Sequence, residues 1–365
     1  MVDGPVTSWR WDFGDGTKST AKNPIHTYTT RGTYTVRLEV STLGGTDALV
    51  VPNYINVREV VRFPDVRLDA ALRGALEIPV GSIRVADLER LTTFNAADSG
   101  ISNIAGLNRA TNLESLYLDG NAIVDVSPLS PIRSLRALNL RDNQIGSIAP
   151  LKNLVALEEL DLGINNITDI RPLASLLKLA LLNLERNPDL TDIRTLEHLT
   201  TLRELSLAFT NILQNDTIDG AGNGDGLNAL RPLTNLIFLD LAATSIHDLR
   251  SIQGLTALQT LILFECQIED ITPLSRLVEL RELQLSANGI VNVSALSGLD
   301  QLRELTLQMN QISSLSPLVL NQGLGNNDVV RLTDNPLDSV SLCSAIPTLE
   351  LRGVIVEVNQ SCASN

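Results

Sequence analysis

Side chains able to do covalent or metal chemistry are sparse in this sequence and poorly placed for it. Histidine occurs only at His26, His198 and His247, and no spacing brings a Ser or Cys beside one of them as nucleophilic catalysis requires. There is no Cys-x-x-Cys and no His-x-x-x-His, so zinc-type ligand spacing is absent. Oxygen ligands crowd together in Leu213 to Asn228 (LQNDTIDGAGNGDGLN), where Asp216, Asp219, Asn223 and Asp225 alternate with glycines in a way that could supply calcium. No bidentate Glu follows at the position an EF-hand needs, and the match to a Gly-Gly-x-Gly-x-Asp nonapeptide is partial and single. A solvated loop therefore competes with the calcium reading. No cofactor and no catalytic residue is expected.

The elements that would have to position any site form a repeat. Taking register from Leu91, the first position recurs at Leu113, Leu135, Leu157, Leu179, Leu202, Leu236, Leu258, Leu280 and Leu302, in steps of 22 residues except one of 23 and one of 34. Apolar residues follow three and five places on, as at Leu116 and Leu118, which is a short strand with one face in a core. Asn121, Asn143, Asn165, Asn187, Asn288 and Asn310 end the strands at the eighth place, while Thr210, Thr244 and Cys266 substitute in the middle repeats. Prolines such as Pro128, Pro150, Pro172, Pro273 and Pro317 lie on the return leg and exclude long helices there, so 3-10 or extended segments are expected. The sixth repeat is 12 residues longer than its neighbours because of the insertion at 213–228.

This pattern resembles the bacterial, internalin-like class of leucine-rich repeats from about Phe63 to Val358. The resemblance implies a right-handed solenoid whose parallel strands line a concave face, with a 3-10 or short helical convex side and ligands held by the solvent-facing residues of the strands. Ten repeats are expected over 91–326, with a last partial repeat and C-terminal cap over 327–365. Leu68, Leu72 and Leu76, four apart, put a helical N-terminal cap in the linker 59–90. Cys343 and Cys362 both fall in the stretch that resembles the family's C-terminal cap, and an exported protein would be free to pair them. Cys266 sits at an Asn position and reads as a small buried thiol.

The first 58 residues are a different domain. WDFGDG at Trp11 to Gly16, then Asn23-Pro24, His26, Tyr28, Gly32 and Tyr34, resembles the PKD domain, an immunoglobulin-like β-sandwich. His26 falls on that signature, where a structural role is expected. Family members carry further strands before the Trp, so a truncated sandwich piece is expected, together with a lost export signal; Met1 to Pro5 has neither a basic start nor an apolar core.

Of 365 residues only 3% are aromatic, so a layered aliphatic core follows. The net charge of -14 argues against nucleic acid or an anionic membrane as partner. No apolar run reaches the roughly 18 to 20 residues of a membrane helix.

Function then rests on the outward strand positions, the second, fourth, sixth and seventh after each starting Leu. Early repeats offer Tyr117, Asp119, Asn139, Arg141, Asp142, Glu159 and Asp161, and late ones Glu282, Gln284, Ser286, Glu304, Thr306 and Gln308. Between them lie Leu181, Phe209, Phe238, Ile262 and Phe264, with Glu204, Asp240 and Glu265 beside them. Three of the chain's six Phe occupy these few positions, and Ala208, Ala242 and Ala243 could floor a shallow pit between Phe209 and Phe264. An apolar centre with an acidic rim is an interface pattern. The expectation is an extracellular or cell-surface protein that binds another protein through this face. A structural spacer is the rival reading; carbohydrate binding is a third, disfavoured by the shortage of rings for stacking.

Overall fold

The computed structural model describes residues 4–57, 59–212 and 227–362. Contacts separate two units, Met1–Arg62 with Val80–Leu88, and Phe63–Pro79 with Glu89–Asn365. The segment 59–90, expected as one cap and linker, is shared between the two units. Val60 bridges Arg84, Val61 N–H donates to the Ile83 carbonyl at 2.9 Å, and Val85 N–H donates to the Glu59 carbonyl at 3.3 Å. These bonds tie the second half of the segment to the N-terminal unit.

In that first unit, β1 (Ser8–Asp12), β2 (Lys18–Ser19), β3 (Gly32–Thr42) and β4 (Gly45–Val57) form an antiparallel sheet of order β2-β1-β3-β4. Opposite residues share a face, so Trp9 with Val40, and Trp11 with Leu38 and Leu49, make one side apolar, while Arg10, Asp12, Arg37 and Glu39 make the other polar. The His26 ring stacks on Phe13 at 4.2 Å and meets Tyr28 edge-on at 4.6 Å. Its Nε2 lies 2.6 Å from the Asp15 carboxylate, whose pKa is held at about 2 by the Thr17 hydroxyl and N–H and further by His26. His26 thus has the structural surroundings its place in the signature implies.

The second unit begins with α1 (Val66–Leu76), which buries Leu68, Leu72 and Leu76. Asp65 caps it, accepting from Arg67 N–H at 2.9 Å with one oxygen, while the other accepts from the N–H groups of Ser102 at 2.8 Å and Asn103 at 3.1 Å. One carboxylate thus fixes the cap helix to the first repeat. The short α2 (Val85–Leu88) belongs to the first unit.

Twelve parallel strands come next, in strict sequence order: β5 (Thr93–Asn95), β6 (Ser115–Tyr117), β7 (Ala137–Asn139), β8 (Glu159–Asp161), β9 (Leu181–Asn183), β10 (Glu204–Ser206), β11 (Phe238–Asp240), β12 (Thr260–Ile262), β13 (Glu282–Gln284), β14 (Glu304–Thr306), β15 (Val329–Arg331) and β16 (Ile355–Glu357). Ten of them match the ten full repeats. The middle residue of each repeat strand, Leu116, Leu160, Leu205 and Leu261 among them, is completely buried, as are Leu118, Leu162, Leu207 and Leu263 two places on. Return legs are 3-10 turns such as Ala149–Asn153 and Arg171–Ser175, with Pro at their start. An Asp two residues ahead satisfies the first N–H of several, as Asp169 does for Arg171 at 2.9 Å.

The Asn positions form a ladder between repeats. Asn165 donates to the carbonyls of Leu140 at 3.0 Å and Leu162 at 3.1 Å and accepts from the Ile145 N–H at 3.0 Å. The ladder changes character where Thr210 and Thr244 donate to a carbonyl of their own repeat, Leu207 and Leu241, where the Thr244 hydroxyl meets the Cys266 thiol at 3.8 Å, and where that buried thiol lies 3.1 Å from the Leu241 carbonyl. At the C-terminal end, α3 (Ser316–Leu320), a π-helical turn at Ser341–Ala345 and α4 (Ile346–Leu351) precede β16. Cys343 and Cys362 are joined by a disulfide with their Cα atoms 5.0 Å apart.

Candidate binding face

Strand alternation decides which side chains face out. With Leu205, Leu239 and Leu261 in the core, their neighbours in β10, β11 and β12 stand on the opposite side of the sheet. Lateral pairing then sets two rows. Leu181, Glu204, Phe238, Thr260 and Glu282 lie side by side in one, and Asn183, Ser206, Asp240, Ile262 and Gln284 in the other. Beyond the strands the ladder continues, with Phe209 N–H donating to the Ala242 carbonyl at 2.8 Å and Ala243 N–H to the Phe264 carbonyl at 2.7 Å. Phe209 and Phe264 therefore stand two strands apart, roughly 10 Å at the usual strand spacing.

Phe209 is 41% exposed and Phe264 37%, while Phe238, Leu181 and Ile262 are half-buried. Ala208 and Ala242, expected with Ala243 to floor a pit between the two exposed rings, are buried. A hollow of about 720 Å³ is lined by Phe209, Ala243, Glu265, Gln267, Glu269 and Gly289; Phe264 is outside it. Phe209 is covered on one side by the Arg186 guanidinium, 4.4 Å from the ring centre.

Backbone geometry adds a feature that the sequence pattern alone did not single out. The seventh residue after each starting Leu is left-handed: Gly120 is at φ 65°, Asp142 at 53°, Arg186 at 51°, Phe209 at 56°, Glu265 at 57° and Met309 at 55°. Gly, Asn and Asp tolerate this region, whereas a Phe there is strained. The signal was available, since Gly120 and Asp142 hold the position in early repeats.

Charge on this face is distributed unevenly. Arg141 pairs with Glu185 at 2.5 Å, and Arg331 reaches both Glu304 and Glu357. Among the described residues Glu204, Asp240 and Glu265 have no Lys or Arg partner. Burial pushes the Asp240 carboxyl above the ordinary carboxylate range, with Glu185 adding to the rise and the Ala242 N–H opposing it. Burial does the same to Asp161, against the Gly163 N–H and Arg141. The Ser206 hydroxyl, buried beside Asp240, lowers that carboxyl's pKa as well.

Asp216, Asp219, Asn223 and Asp225 lie outside the described residues. Among the described ones, no three His, Cys, Asp or Glu side chains are grouped to hold a metal ion, and no helix is long and apolar enough to cross a membrane.

Comparison with known proteins agrees with both halves of the chain. Residues 1–57 match the PKD domain model, and residues 133–175 match the model for two copies of leucine-rich repeats. Two collagenases of Bacillus cereus are similar over short stretches: ColA at 50% identity over 46 residues, 13% of this chain, and ColQ1 at 34% over 113 residues, 29% of this chain. The chain spans 5% and 11% of the length of these relatives. Among solved structures, an internalin (InlF) from Listeria monocytogenes superposes with a TM-score of 0.65 at 26% identity, over 85% of this chain and 99% of that one.

Proposed function

Taking the chain as an internalin-like leucine-rich-repeat solenoid preceded by a PKD domain, we propose that it is an extracellular or cell-surface protein that binds another protein through the outward face of its repeats, without catalysis. The fold is a protein-interaction scaffold, and the seat for a partner lies around Phe209, Phe238 and Phe264, flanked by Leu181, Ile262, Glu204, Asp240 and Glu265. Phe209 carries this reading. It holds a left-handed backbone position suited to Gly or Asp and is exposed as well, so its ring contributes little to folding and gains value only when covered. Covering an exposed Phe is worth roughly 1.5 to 3 kcal/mol.

The test combines stability with capture. Replacing Phe209, Phe238 and Phe264 by Ser is expected to leave the melting temperature nearly unchanged and to remove partners retained by the parent from its native surroundings. Retention of every partner by variants that still fold would favour the spacer, in which the repeats only set a distance.

A further inference from the structure

The proposed face also specifies the chemistry of what it takes. Its rings do not sit in neutral surroundings: Glu204 is the lateral neighbour of Phe238, Asp240 of Ile262, and Glu265 directly follows Phe264. Elsewhere on the sheet the protein neutralises such groups itself, as Arg141 does for Glu185 and Arg331 for Glu304 and Glu357. Around the rings it does not, since among the described residues Glu204, Asp240, Glu265 and the nearby Glu282 have no cationic partner.

Asp240 is half-buried in the same row as Ser206, and its carboxylate accepts the Ala242 N–H at 3.0 Å with no cation beside it among the described residues. An ionised carboxylate withdrawn from water and lacking a counter-charge is costly in the free protein. A partner that brings a cation reverses that cost. Arg186 lies against Phe209 and shows that ring and guanidinium pack together here.

Resting on the reading of this face as a protein-binding site, we propose that its partner is a basic protein segment in which an apolar side chain, seated among Phe209, Phe238 and Phe264, is flanked by Lys or Arg that pair with Glu204, Asp240 and Glu265. Nucleic acid and anionic lipid have the same sign as the face and are repelled. A neutral glycan supplies no counter-charge for Asp240.

The probe is a charge-unbiased random peptide library displayed on phage and panned on the whole chain at low salt. Peptides retained by the parent and lost on the Phe209→Ser/Phe264→Ser variant are expected to be basic around a central aromatic or aliphatic residue. Their retention should fall about tenfold, the equivalent of 1.4 kcal/mol, on a Glu204→Gln/Asp240→Asn/Glu265→Gln variant, and added salt should weaken binding to the parent more than to that variant. Melting curves of both variants serve as the folding control. Peptides that are acidic or neutral yet lost with the Phe residues would overturn the cationic partner and leave the binding face standing. Retention indifferent to the Phe residues, or no retained peptide at all, would overturn this inference, the former outcome counting against the face as well.

Discussion

Phe209 and Leu207, two residues apart, should respond to substitution in opposite ways. Phe209→Asn relieves a left-handed Phe and gives up an exposed contact with Arg186, each worth about 1 kcal/mol, so the melting temperature should hold or rise slightly. Leu207→Ala empties a fully buried site and should cost about 2 to 5 kcal/mol. Equal losses in a thermal melt would make the Phe209 ring part of the core and end the binding argument. Asp65 supplies a second test. Burial opposes its charge, but the N–H groups of Ser102, Arg67, Asn103 and Leu68 outweigh that and hold its pKa at about 2. Because the folded value lies below the unfolded one, near 4, the ionised carboxylate stabilises fully above pH ~4. That contribution, roughly 2 kcal/mol, fades as pH falls toward 2. Asp65→Asn should flatten this part of the pH–stability curve, and an unchanged curve would show that the cap does not depend on the charge. Leucine alternation made the core and the outward face readable in the sequence. Leucine periodicity carries no sign of φ, so the left-handed site of Phe209 is marked in the sequence only by Gly120 and Asp142 at the same place in early repeats, and Ala208 and Ala242, at outward places in the pattern, are buried in the structure.

The Asn ladder sets how firmly neighbouring repeats are held together. Asn165→Ala removes bonds to two repeats and leaves buried backbone groups unpaired, so a loss of about 2 to 3 kcal/mol is expected, against about 1 for Thr210→Val, which removes a single bond within one strand. Denaturant unfolding of the two variants distinguishes them, and equal losses would show that Thr210 serves the ladder as well as Asn does. Hydrogen exchange should correspondingly be faster in the repeats of Thr210, Thr244 and Cys266 than in those of Asn143 and Asn165, and uniform protection would contradict it. The section with Thr210, Thr244 and Cys266 also carries the ring-bearing face, so faster exchange there would mean that a partner meets backbone able to adjust. The substitutions were visible in the sequence because the repeat made their position comparable. The extent of β4 was not, since Gly45, Pro52 and Asn53 interrupt its strand signal. Nor was the division of 59–90, which depends on backbone bonds between Glu59, Val61, Ile83 and Val85 that side-chain pattern does not record.

At the scale of the whole molecule, each strand of the second unit pairs only with the strands before and after it, so stability is a sum of repeats and their interfaces. Leu227, inside the stretch expected as loop, is fully buried and Asn228 opens a 3-10 turn, so a shortening to the standard repeat length confined to 213–226 should leave melting unchanged, with Leu207, Leu227 and Leu230 keeping their buried places. Repeating the melt in calcium and in chelator tests the carboxylates of that stretch: a calcium-dependent rise that vanishes on shortening would make Asp216, Asp219, Asn223 and Asp225 a cation site. The disulfide at the far end closes a loop with a sequence separation of 19, and its replacement by serines should cost roughly 3 kcal/mol, read as early melting of the C-terminal cap. The same bond has a mechanical consequence. If the protein is stretched between two surfaces, a solenoid of three-residue strands can be peeled one turn at a time, each 22-residue turn releasing at most about 75 Å of chain. Cys343 and Cys362 lock the last turn, so the first C-terminal yield under load should come at higher force in the oxidised chain than in the reduced one. A chain built this way would lengthen in steps under load, and the redox state of Cys343 and Cys362 would set where the stepping begins.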